Sequence, residues 1–232
     1  MTRVFITGDT HSTIDWEKLN TTRFPVQKDL TKEDLVIIAG DFGGIWDGSK
    51  SDDYVLNTYD SRNFTTLFVD GNHENFDLLN SYPVEEFHGG KVHRIRDSVY
   101  HLMRGQVYDF GGKSFFTFGG ARSTDRIYRK EGVSWWPQEI PNEEEMKEAE
   151  ENLAKVDNKV NYVITHCCPK AALFDLSRYG FYESDKVNTF LDHLISDTNL
   201  QFDKWFFGHY HEDLRFGPWN MLYQTIEEID LS

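Results

Sequence analysis

The run Leu35-Val36-Ile37-Ile38-Ala39-Gly40-Asp41 sets how the rest of the chain is read. Five consecutive apolar residues, three of them β-branched, end on a glycine and a carboxylate. A run this short and continuous is a strand buried on both faces. The pattern recurs. Val4-Phe5-Ile6-Thr7 precedes Gly8-Asp9-Thr10-His11, and Leu67-Phe68-Val69 comes just before Gly71-Asn72-His73-Glu74. Tyr162-Val163-Ile164 leads to His166, and Trp205-Phe206-Phe207 leads to Gly208-His209-Tyr210-His211. The polar residues therefore sit just past the carboxyl ends of strands, where open α/β sheets bind ligands. Glycines at these turns let the backbone bend sharply or approach a neighbour.

Strands near 4–7, 35–39, 65–69, 160–165 and 204–208 alternate with helical patterns, so the fold class is α/β. Residues 84–118 are richer in strand signal, with Val92, Ile95, Val99, Tyr100, Leu102, Val107, Tyr108 and Phe110 between glycine-containing turns. They are expected to form antiparallel strands joining a second sheet. Asn142 and Glu145 form a capping-box pattern ahead of a helix running to about Val156, with Met146, Ala149, Leu153 and Val156 as its apolar stripe. The length suits one domain over 1–232.

The ordered motifs supply seven donors for metal: Asp9, His11, Asp41, Asn72, His166, His209 and His211. Asp9 and His11 are two apart, as are His209 and His211, so extended backbone would aim each pair to one side. A Gly-Asp pair alone is common in turns, and a lone His166 or Asn72 would mean little. Five ordered elements mean more. Imidazole, amide and carboxylate together suit manganese, iron, zinc, cobalt or nickel better than calcium or magnesium. Seven ligands exceed one tetrahedral ion and suit two divalent transition-metal ions sharing a carboxylate, with manganese the first expectation.

With D-x-H, G-D, G-N-H-E, H and G-H-x-H in order from Asp9 to His211, the chain resembles the calcineurin-like metallophosphoesterases. The resemblance implies two mixed sheets packed face to face with helices outside, an α/β/β/α sandwich. It implies that Asp9, His11 and His211 hold one metal, that Asn72, His166 and His209 hold the other, and that Asp41 bridges them. His73 would be a general acid or a phosphate contact rather than a ligand. The chain also departs from the pattern. Ser12 stands where many members have glycine. The second motif continues Phe42-Gly43-Gly44-Ile45-Trp46, without the aspartate and arginine that phosphoprotein phosphatases place there.

The expected activity is hydrolysis of a phosphate ester by a metal-bridging hydroxide, with His73 protonating the leaving oxygen. Phosphodiester or nucleotide substrates are favoured, because one phosphate-gripping cation of the protein phosphatases is missing. A phosphomonoesterase or Ser/Thr protein phosphatase is the alternative within the enzymes. A metal-binding scaffold without catalysis is the alternative outside them, and retention of all seven ligands and His73 argues against it. Residues 119–141 form a basic, aromatic segment with Arg122, Arg126, Tyr128, Arg129, Lys130, Trp135 and Trp136. It reads equally as a substrate loop or as a covering of the core. Arg122, two residues past a strand pattern, is the expected substrate contact.

A formal net charge of -15 opposes nonspecific nucleic-acid binding, which depends on cationic side chains. The expected partner is instead a small phosphorylated substrate, with nucleotides among the candidates. No apolar run approaches a membrane span, so no membrane partner is expected. The amino terminus enters strand pattern without a signal-like segment, and a cytoplasmic location is expected. Cys167 and Cys168 are adjacent and fit no disulfide framework. Although they lie beside His166, they read as reduced core residues. Phosphate-binding P-loop, dinucleotide and serine-hydrolase motifs are absent.

Overall fold

The computed structural model describes residues 2–176 and 183–231. The apolar runs are the central strands. β1 (Val4–Thr7), β2 (Leu35–Ile38) and β3 (Thr65–Phe68) lie parallel in register, Val4 beside Leu35 and Leu35 beside Thr65. Each is buried along its whole length. The helix α1 (Lys50–Asp60) follows β2, capped by the Ser49 hydroxyl, which accepts from the Ser51 amide. A short helix, α2 (Phe76–Leu79), follows β3.

The middle of the chain departs from the sequence expectation. β4 (Val84–Phe87), β5 (Gly90–Arg96) and β6 (Val99–Leu102) form a meander. They join the first sheet, because β6 pairs parallel with β3. Only β7 (Gln106–Phe110) and β8 (Lys113–Phe118) enter the second sheet. That sheet continues with β9 (Tyr162–Thr165) and β10 (Lys204–Phe207), both parallel to β8. The capping box is present, and α3 runs Glu143–Ala154. α4 (Lys170–Leu176) and α5 (Lys186–Ser196) lie between β9 and β10.

Three strands close the chain. β11 (Leu214–Phe216) and β12 (Trp219–Met221) extend the second sheet, and β13 (Ile226–Ile229) returns antiparallel to β1. The orders are β13-β1-β2-β3-β6-β5-β4 and β11-β12-β10-β9-β8-β7.

Strand alternation divides the core into layers. Val4, Ile6, Leu35, Ile37 and Leu67 meet Phe115, Tyr162, Ile164 and Phe206 between the sheets. Their neighbours Phe5, Val36, Ile38 and Phe68 face outward onto Val55, Leu56 and Tyr59 of α1. Phe116, Phe118, Val163, Trp205 and Phe207 face α3, α4 and α5. The result is the two-sheet sandwich with helices outside. Each fully buried aliphatic side chain is worth about 1.5–3 kcal/mol, which fixes the register and so the loops at the strand ends. Cys167 and Cys168 are free, buried thiols in the third cluster. Burial pushes Cys168 up to about 12, so it is a poor thiolate. No helix among the described residues is long and apolar enough to cross a membrane.

Candidate metal centre

The turns after β1, β2, β3, β9 and β10 converge. Backbone links draw the first two together: the Thr10 and His11 amides both donate to the Asp41 carbonyl, at 3.1 and 2.9 Å. Asp9 and Asp41 are buried, and each carboxylate is oriented by an amide from another turn. The His209 amide donates to Asp9 Oδ1 at 3.0 Å, and the His73 amide donates to Asp41 Oδ1 at 2.8 Å. Glycine makes these approaches possible. A Cβ on Gly71 would lie 2.0 Å from Asp41 Oδ1, and one on Gly208 would lie 2.1 Å from Asp9 Oδ1.

The carboxylate oxygens also face imidazoles. Asp41 Oδ2 is 3.3 Å from His11 Nε2, and Asp41 Oδ1 is 3.4 Å from His166 Nε2. Asp9 Oδ2 is 3.1 Å from His211 Nε2 and 3.8 Å from His11 Nε2. That oxygen is buried, and no hydrogen bond satisfies it. His166 Nδ1 donates to the Ala39 carbonyl at 2.9 Å, so Nε2 is the nitrogen that faces the carboxylates. His11 Nδ1 is 2.7 Å from Asp15 Oδ2, which fixes the same tautomer. Such outer partners orient metal-binding histidines.

Three sets of donors lie close enough to hold an ion: Asp9, His11 and His211; Asp9, Asp41 and His166; and His11, Asp41 and His73. Asn72 Oδ1 is 3.2 Å from His166 Nε2, and the His209 ring centroid is 4.9 Å from that of His166. All seven ligand candidates thus come together, with His73 at their edge. Its Nε2 is 4.0 Å from Asp41 Oδ2.

The electrostatics fit a cation. Burial alone would raise Asp41, but His166 and His11 hold it well below the usual carboxylate range. Burial likewise works against Asp9, and His211 and His166 keep it low. His166 is disfavoured as a cation by burial, yet Asp41 raises it to about 10. His209 is lowered to about 3 by burial and by His166. Two buried carboxylates thus draw positive charge onto their imidazoles, and divalent ions at the same atoms would meet the same demand. A buried unsatisfied Asp9 oxygen and oriented imidazole nitrogens, once free of their protons, fit that role.

The local backbone corrects one expectation. The Asp-x-His and His-x-His pairs do not converge through extended chain. His11, Asp41, His209 and His211 have φ of 41°, 46°, 69° and 54°. Non-glycine residues in this left-handed region are uncommon and cluster at functional sites.

Several neighbours had little signal in the sequence. Lys18 is buried, and its Nζ donates to the carbonyls of Gly8, Asp9 and Tyr223 at 2.9, 2.5 and 2.5 Å. The His211 ring stacks on Tyr223, whose hydroxyl donates to Asp15. Glu74 Oε1 accepts from the Phe42 amide at 2.8 Å and so braces the turn that carries Asp41. Glu74 stood in the third motif and Asp15 is an acid four residues after His11; Lys18 and Tyr223 offered no sequence hint.

The 119–141 segment serves the third motif. Asn72 Nδ2 donates to Ser123 Oγ at 3.2 Å, and Ser123 Oγ donates to Glu139 at 2.7 Å. Arg129 Nη1 is 3.0 Å from His73 Nδ1. Arg122 is exposed; its amide donates to Asp185, and its neighbour Ser123 is the residue that meets Asn72. Trp136 belongs to the core, 3% exposed, with its indole N–H donating to Asp77. Trp135 carries Arg126 over its ring at 4.7 Å. For the tryptophans, the core-covering reading holds for Trp136.

The profile of calcineurin-like phosphoesterases matches residues 2–213. No curated protein matches the chain. Among solved structures, the chain is similar to a candidate 5'-nucleotidase from Staphylococcus aureus in complex with alpha-ketoglutarate. The identity is 14% and the TM-score 0.46, over 98% of this chain and 50% of that one. It is also similar to the sulfate thiohydrolase SoxB of Thermus thermophilus in complex with glycerol. There the identity is 12% and the TM-score 0.43, over 97% of this chain and 51% of that one. The chain spans about half the length of these structures.

Proposed function

The chain belongs to the calcineurin-like phosphoesterase family, and we propose that it hydrolyses phosphate esters at two divalent metal ions bridged by Asp41. One observation carries this reading. Asp9 and Asp41 are each pinned by one amide, with further oxygen within 4 Å of histidine nitrogens, inside a shell of seven donors. Asp9, His11 and His211 would hold one ion, and Asn72, His166 and His209 the other. Bound there, divalent ions supply Lewis acidity and lower the pKa of water toward about 7.

The chain's own groups then position and protonate. A guanidinium only donates, and Arg129 lies beside both ring nitrogens of His73, 3.0 Å from Nδ1 and 3.3 Å from Nε2; we assign the lone pair to the shorter contact at Nδ1, with the ring proton on Nε2. Nε2 is the nitrogen nearer Asp41. His73 therefore offers an N–H toward the place of the phosphoryl group. Phosphate drawing Arg129 onto itself frees Nδ1 to take a proton, and His73 can then release the Nε2 proton to the leaving oxygen. Arg122, beside Ser123, is a second candidate for a phosphate oxygen.

Diesters or nucleotides are proposed to react at least as well as simple monoesters, since the second motif lacks the protein-phosphatase arginine. Manganese is the first metal to try. A screen of metal-reconstituted protein on aryl monoester, aryl diester and nucleotide substrates tests the reading. Turnover of a diester or nucleotide supports it, and a strong preference for phosphoserine peptides over every diester contradicts it.

A further inference from the structure

A cleft of about 360 Å³ opens directly beside the candidate metal centre, with His11 and His73 in its wall. Its volume lies within the roughly 300–1,000 Å³ of small-molecule sites. The rest of the wall comes from Ile14, Trp46, Asp47, Ser49 and Asp52, among others. We infer that this cleft receives the leaving group of the substrate, and that the group is an uncharged, ring-bearing alcohol of the nucleoside class. The inference rests on the phosphoesterase reading above and names its substrate class.

Position is the first argument. A group leaving the phosphorus toward His73 enters the space that His73 borders. Rigidity is the second. Trp46 stands on a held loop: its amide and those of Asp47 and Gly48 all donate to Asp52 Oδ2, at 2.7, 2.9 and 2.9 Å. Its carbonyl accepts from Asn75 Nδ2 at 2.6 Å, and its ring meets Trp136 edge to face at 5.7 Å. A fixed indole is a ready stacking platform, and Ile14, 78% exposed, adds apolar surface to the same wall.

Charge is the third. Among the described residues, no lysine or arginine lines the cleft, while Asp47 and Asp52 do. The carboxylates and the overall charge of -15 repel a leaving group with its own phosphate, as a dinucleotide polyphosphate would have. Ribose hydroxyls, in contrast, can donate to a carboxylate or a serine.

Calorimetry with adenosine as the probe tests the cleft without turnover. Wild type should bind adenosine at millimolar concentration. Ile14→Asp, which alters an exposed side chain, should weaken binding about ten- to a hundredfold, the worth of one stacked base. Trp46→Ala should do the same. In manganese-loaded protein, Ile14→Asp should raise KM for adenosine monophosphate severalfold more than KM for glycerol phosphate, with metal content intact. Absence of adenosine binding to wild type, or equal effects on both esters, would overturn the inference. Failure of loaded wild type to hydrolyse any phosphate ester would instead sink the phosphoesterase reading, and the adenosine result would stand apart from it.

Discussion

Arg129 reaches across the edge of the metal centre to His73, with Nη1 3.0 Å from Nδ1 and Nη2 3.3 Å from Nε2. The guanidinium is itself held by Asp125, at 2.7 Å, and by the Ser134 carbonyl, at 3.0 Å. This places a fixed cation where the second motif supplies none. Arg129→Ala should raise KM for phosphate esters about ten- to a hundredfold, the worth of a charge-assisted hydrogen bond, with metal content unchanged. Arg122→Ala should have the smaller effect. Steady-state kinetics on both variants decide it, and a larger loss in the Arg122 variant would reassign the grip.

His73→Ala should keep both metals and lose roughly 10²–10⁴ in turnover. The loss should shrink for nitrophenyl esters, whose leaving group scarcely needs a proton. A loss that is equal across leaving groups would identify His73 as a phosphate contact only.

Lys18 ties the Asp9 turn to the segment after His211 through three carbonyls. Lys18→Met keeps much of the volume and leaves those carbonyls without their donor. Stability should fall by roughly 2–4 kcal/mol, and metal binding should weaken in step, read by denaturant titration and metal titration. Unchanged metal affinity would make Lys18 a fold residue without a part in the site.

The two buried histidines His93 and His101 meet Nδ1 to Nδ1 at 2.9 Å. Burial, then the charge of His101, lowers His93 to about 4, against about 6.5 in an unfolded chain. Between those values the unfolded chain binds a proton that the native chain does not. Stability should therefore fall as pH drops from about 6.5 to 4, by up to about 3 kcal/mol from this group. Denaturant midpoints across that range should fall more steeply in wild type than in His93→Asn. Parallel curves would contradict the assignment.

Much of this was legible in the sequence, for a physical reason. Strands buried on both faces must be continuous apolar runs, so β1, β2, β3, β9 and β10 announced themselves, and the ligand candidates followed at their ends. The edges did not. β11 and β13, Leu214–Phe216 and Ile226–Ile229, carry charged residues because one face is open. The meander of β4, β5 and β6 could pair with either sheet, and the choice depends on the free edge of β3. The left-handed turns at His11 and Asp41 have no compositional mark. Arg129 was one of several cations in an irregular segment, and only tertiary contact separates it from Arg122.

Two ions that share Asp41 are the core of the proposed site. Equilibrium dialysis of metal-free protein against manganese, followed by activity at each occupancy, tests this sharing most directly. Two ions per chain, activity that appears with the second, and loss of both sites in Asp41→Asn are expected. Full activity with a single tightly bound ion, or an Asp41→Asn chain that still binds two, would contradict it.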